Sequence, residues 1–136
     1  MFGLTKRQLL KRSKEALQET GVQVLSFRRL TSQKTKGEIN LLEAQRSLER
    51  LRNEVEDTFS RYEKLNPPSE CLKLKQRIMK ALIIFHESLV TYSESLLAKE
   101  SDLQEKLQKR SDEELNEYKE LSLYLSREID SNLQKK

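Results

Sequence analysis

From Cys71 to Leu107, directly after the breaker Asn66-Pro67-Pro68, apolar side chains recur every three or four positions. That period belongs to an α-helix, and a stripe of this length commits the chain to packing helices on helices. Its main row is Cys71, Leu74, Ile78, Ala81, Leu82, Phe85, Leu89, Tyr92, Leu96, Leu103 and Leu107. A second row, Leu72, Met79, Ile83, Val90 and Leu97, widens the apolar arc to about 200°. A helix apolar over so much of its girth touches more than one neighbour, so this third helix is expected to be the longest and most buried. Pro67 and Pro68 end the helix before it, because a proline pushes the preceding residue out of the α region. Pro68 suits a first helical position, and Glu70 then faces the positive end of the helix dipole. Inside the stripe, the polar run Lys99-Glu100-Ser101-Asp102 is where a bend or interruption would fall.

The flanking segments carry narrower stripes. Between Leu4 and Leu30, the residues Leu9, Leu10, Ser13, Ala16, Leu17, Thr20, Val24 and Phe27 share an arc about 120° wide, with Gly21 at its edge. Thr31 to Gly37 has no apolar side chain and ends in Gly, which reads as a loop. From Glu38 a heptad pattern sets Leu41, Leu48, Val55 and Tyr62 in one column and Ala44, Leu51, Thr58 and Leu65 in another, with Phe59 beside them. Leu10 and Leu41 lie 31 residues apart, which is not a multiple of seven, so a turn joins these helices. Ser111 followed by Glu114 has capping-box spacing and places a fourth helix start there, with the face Leu115, Tyr118, Leu121, Ser122, Leu125, Ile129 and Leu133. The expected architecture is a single all-α domain over 1–136. It is an antiparallel up-down four-helix bundle with coiled-coil-like packing and helices at about 4–31, 38–65, 68–109 and 112–134. Helices of about 25 residues make a bundle roughly 40 Å long, and a third helix of about forty would overhang it. The overhang is a natural place for a partner.

Composition agrees and removes several function classes. The chain has 136 residues with three Gly, two Pro and no Trp, which is helical composition. Its single cysteine cannot make an internal disulfide or a structural zinc site, and Cys71 reads as a small buried side chain. His86, the single histidine, lies in the apolar span Ile83-Ile84-Phe85-His86 and reads as structural. No second His follows at zinc-protease spacing, and residue 83 is Ile where a Glu-x-x-His motif needs Glu. Gly3, Gly21 and Gly37 build no phosphate-cradling loop. Tyr62, Tyr92 and Tyr118 lie on stripes and read as core. Ile84, Leu123 and Tyr124 point away from them and form a contact patch if exposed together. No cofactor, metal or small-molecule substrate is expected, and an enzyme working through carboxylates alone is the weakest class.

Charge is distributed unevenly. Residues 1–37 hold nine Lys or Arg against Glu15 and Glu19, net +7, while the remainder is −3. The plain reading is a solvated basic face, or one paired with acids such as Glu49, Glu54 and Glu56. The functional reading is an anionic partner held by Lys6, Arg7, Lys11, Arg12, Lys14, Arg28 and Arg29. That partner is a membrane surface with Phe2 and Leu4 inserted, or a nucleic-acid backbone. The opening run Met1-Phe2-Gly3-Leu4-Thr5-Lys6-Arg7 lacks the apolar core of a secretory signal, and the expected setting is cytoplasmic.

Leu65-Asn66-Pro67-Pro68-Ser69-Glu70-Cys71, with Ala81-Leu82 and Tyr92 after it, resembles the central hairpin of helical domains in uncharacterised prokaryotic proteins, where a Pro-Pro turn opens a long helix. Those domains often carry a His in the first turns of that helix; this chain reads Leu72-Lys73-Leu74-Lys75. The resemblance implies a helical fold and no activity. The functional expectation is a non-enzymatic interaction module, an adaptor, scaffold or self-associating unit whose partner is a protein or a second copy. The alternative is peripheral membrane or nucleic-acid binding through the basic first helix.

Overall fold

The computed structural model describes residues 3–135 as four α-helices: α1 (Lys6–Thr35), α2 (Leu41–Glu63), α3 (Leu72–Leu97) and α4 (Ser101–Gln134), with a 3-10 turn at Ser69–Cys71 before α3. Each helix packs against the next, α4 returns to α1, and α1 also meets α3 across the bundle, while α2 and α4 do not touch. The expected all-α four-helix bundle is the fold.

Local chemistry sets most of the ends. Thr5 and Gln8 form a reciprocal capping box that opens α1, and Asn40 with Glu43 does the same for α2. The first helix runs to Thr35, so Thr31–Thr35 is not loop. Leu30 is buried and the Thr31 hydroxyl bonds the Arg28 carbonyl, which sustains another helical turn without apolar residues. The stop comes at Gly37, at φ +74°, where Gly37 N–H donates to the Lys34 carbonyl and Glu38 N–H to that of Gln33. This is the Schellman arrangement, with glycine in the left-handed position. Pro68 precedes the 3-10 turn, so α3 opens at Leu72 and not at 68. The Lys75 ammonium bonds the carbonyls of Glu63 and Leu65, capping the C-terminus of α2 and closing the Pro-Pro turn.

The third helix stops at Leu97 and does not reach 109; α4, with 34 residues, is the longest, and no third-helix overhang exists. Ala98 is extended, its carbonyl accepts from the Gln104 side-chain amide at 2.6 Å, and Asp102 sits in the first turn of α4. No Gly or Pro breaks the helix. Reversal there lets Leu115, Tyr118, Leu125 and Ile129 enter the core, which a straight rod cannot do. Ser111 is consequently a mid-helix residue and not a cap. It is buried, and its hydroxyl donates to the Ser88 carbonyl at 2.8 Å.

At the centre, Phe27 meets Tyr92 and Phe85 edge-on, at 5.4 and 6.2 Å between ring centroids, and Phe85 meets Tyr118 at 5.2 Å. These rings tie α1, α3 and α4 together. Tyr62, Tyr92 and Tyr118 are core, as is Cys71, whose thiol pKa is pushed up by burial and the nearby Glu70 carboxylate, with Lys6 opposing. Helix α3 touches all three others, as α1 does, and packs most extensively on α4. Its second contact, however, is made by a different face from the one its sequence advertises.

Candidate interaction surface

On α3 the side that packs on α4 carries Ile84, Ser88, Thr91 and Ser95, all buried. Small side chains let the two helices approach closely, and their polarity is satisfied locally. The Ser88 and Ser95 hydroxyls each donate to the carbonyl three residues back, at 2.6 Å. Ile84 is therefore covered by α4, contrary to its expected exposure, while Leu123 and Tyr124 stay exposed. Tyr124 carries the Arg77 guanidinium over its ring at 5.0 Å, and Arg77 also pairs with Glu128 at 3.0 Å.

The consequence falls on the apolar second row, which is left open. Leu72 is 48%, Ile83 45% and Leu97 65% exposed, with Met79 and Val90 half-buried between them. Beside the middle of this row runs a groove of about 440 Å³ between α2 and α3, floored by Val55, Phe59, Leu82 and Ile83 and bordered by Ser60. Glu56 and His86 stand at its rim, joined by a 3.0 Å bond from His86 Nε2 to Glu56 Oε1. A second hollow on the other side of Glu56 is lined by Gln45 and Ser93, where the Ser93 hydroxyl donates to Gln45 at 3.2 Å. Buried Gln45 Nε2 and Arg52 Nε have no partner among the described residues.

The basic residues are dispersed. Arg7 donates to the Leu133 carbonyl at 3.3 Å, Arg12 lies 3.8 Å from Glu15, and Lys14 pairs with Asp130 at 2.7 Å. Lys6, Lys11, Arg28 and Arg29 are exposed with no ion pair among the described residues. Lys11 and Arg29 share a face but stand about 27 Å apart along α1. Val22 and Leu25 lie exposed between them. Leu4 is half-buried, and its N–H donates to the Asn66 carbonyl at 2.9 Å. Phe2 lies outside the described residues.

On the inner side of α1, Arg61 of α2 bonds Glu19, and the Thr58 hydroxyl donates to Glu19 while accepting from Gln23, both at 3.0 Å. The Arg61 bond, aided by Thr58 and opposed by burial, holds the Glu19 carboxyl below its usual range. This network fixes the register of α1 on α2. Among the described residues no cluster of three or more His, Cys, Asp or Glu stands ready to hold a metal, and no helix is long and apolar enough to cross a membrane.

Sequence reasoning counted the open row as core because its period matches the main stripe. The signal that separates them is the Ser88, Thr91, Ser95 and Ser111 set, whose small side chains mark a tight helix contact. Compared with protein-family models, with curated proteins and with solved structures, the chain finds no match.

Proposed function

We propose that this chain is a non-enzymatic helical interaction module, an adaptor, scaffold or self-associating unit acting in the cytoplasm through protein contacts. The observation that carries the reading is the row Leu72, Met79, Ile83, Val90 and Leu97, an apolar stripe along α3 in which Leu72, Ile83 and Leu97 stand exposed and Met79 and Val90 are half-buried. Exposed large apolar side chains scattered singly need no explanation; a helical row beside an apolar groove is the form of a contact surface. The test is cross-linking of the intact protein in its native lysate, with linked positions mapped. Links from Lys73 and Lys80 to another polypeptide, lost when Ile83→Glu and Leu97→Glu are introduced, support it. Unlinked protein that also scatters light as a monomer at high concentration overturns it.

A second reading rests on Lys6, Lys11, Arg28 and Arg29, exposed cations with no acidic partner among the described residues. They would serve contact with an anionic membrane or nucleic acid. Their spread along α1 makes this the weaker proposal.

A further inference from the structure

Read as heptads, this side of α3 places Gln76, Ile83, Val90 and Leu97 at a positions and Leu72, Met79, His86 and Ser93 at d positions, with His86 and Ser93 half-buried and bonded to Glu56 and Gln45 of α2. The next column outward, at e, is Lys73, Lys80, Glu87 and Glu94. All four are exposed and none has an ion-pair partner among the described residues. The e column is thus basic over the first half of the helix and acidic over the second.

We infer that this face binds a second copy of itself, with the two α3 helices antiparallel about a two-fold axis level with residue 84. The inference rests on the interaction-module reading and names its partner. The charge pattern selects the orientation. In an antiparallel pair e positions face e positions, so Lys73 meets Glu94 of the second copy and Lys80 meets Glu87, each pair occurring twice by symmetry. A parallel pair would set the e column against g positions Lys75, Leu82, Leu89 and Leu96, where the buried Leu82 and Leu89 offer no counter-charge.

The antiparallel register that makes those ion pairs also matches the seam layer by layer. Leu72 packs on Leu97 of the second copy, Met79 on Val90, Gln76 on Ser93, and Ile83 beside His86. Apolar meets apolar and polar meets polar in the first three layers. The fourth falls at the axis, where the α2–α3 groove lies, so Ile83 of each copy enters the groove floored by Phe59 of the other.

Sedimentation and light scattering of the full chain test this. The wild type should have twice its 16.1 kDa mass at concentrations on the order of 100 µM. Ile83→Glu, or Leu97→Glu should the first disturb folding, should be monomeric with unchanged helical circular dichroism. Lys80→Glu should weaken the dimer about tenfold or more, and Lys80→Glu combined with Glu87→Lys should restore it. A wild type that stays monomeric overturns the inference while leaving a hetero-partner to the cross-linking above. A dimer that survives both apolar-to-Glu changes, or a charge swap that restores nothing, overturns this surface and orientation while self-association stands.

Discussion

The Ser111 hydroxyl reaches across the α3–α4 interface to the backbone carbonyl of Ser88, 2.8 Å away, and both side chains are fully buried. The bond joins Ser111 of α4 to a stretch of α3 whose small side chains Ser88, Thr91 and Ser95 are buried. Ser88→Leu should force the helices apart and cost about 1–3 kcal/mol or more, whereas Ser111→Ala, which removes one hydrogen bond and little volume, should cost about 1 kcal/mol. Urea unfolding followed by circular dichroism checks both. Equal losses would show that the interface does not depend on close approach.

Two glycines should respond in opposite directions to the same change. A Cβ on Gly21, inside α1 at negative φ, would meet nothing within 4 Å, so Gly21→Ala should stabilise by about 1 kcal/mol through helix propensity and loss of unfolded-state freedom. Gly37 also has open space, but its φ of +74° is unfavourable for any Cβ. Gly37→Ala should therefore destabilise by about 1 kcal/mol. Thermal melts of the two variants side by side give the test, and a shift of the same sign in both would contradict it.

These residues show why the fold class was readable from the sequence and its finer divisions were not. Of the α2 heptad column Leu41, Leu48, Val55 and Tyr62, the last three are buried, because a seven-residue repeat records packing that recurs along the helix, while Leu41 at the helix start is 46% exposed. The α3–α4 boundary left a fainter mark: the polar run Lys99-Glu100-Ser101-Asp102 marks where an interruption falls, and α3 does end at Leu97 with α4 opening at Ser101, but nothing in the run shows that the chain reverses there. Lys99-Glu100-Ser101-Asp102 is compatible with helix, and the reversal is decided by Leu115, Tyr118, Leu125 and Ile129 entering a core built by distant residues. The same cause hid the exposure of the second row on α3. Period alone shows that Ile83 and Val90 share a face; which face α4 covers depends on Ser88, Thr91 and Ser95.

Tyr62 and Tyr118 are both buried phenols with different hydroxyl environments. The Tyr62 hydroxyl bonds that of Ser13 at 2.6 Å. The Tyr118 hydroxyl lies near Thr20 and Ser122 but has no hydrogen-bond partner at good geometry among the described residues. Tyr62→Phe should cost about 1 kcal/mol and Tyr118→Phe close to nothing, or give a gain of a few tenths.

Tyr62 also sets an alkaline limit. Burial, only partly opposed by the Ser13 bond, pushes its pKa from 10.0 up to about 12. The folded chain keeps the proton that the unfolded chain releases. Its stability is therefore intact below pH 10 and is lost as pH rises through the window up to about 12. Stability measured across that window should fall less steeply in Tyr62→Phe than in the wild type; identical slopes would assign the alkaline loss to other groups.

The basic first helix offers a distinction between cations that hold the fold and cations that are free. Lys14→Glu sets a carboxylate against Asp130, 2.7 Å from the ammonium it replaces, and should destabilise the bundle, though modestly because both groups are more than one-third exposed. Lys11→Glu and Arg29→Glu remove exposed charges with no ion pair among the described residues and should leave the melting temperature nearly unchanged. If α1 follows a phosphate backbone, each should also weaken RNA or DNA binding and reduce the salt slope by about one counterion. Binding that is absent in the wild type, in salt titration and in flotation with anionic vesicles alike, would leave these residues a solvated face.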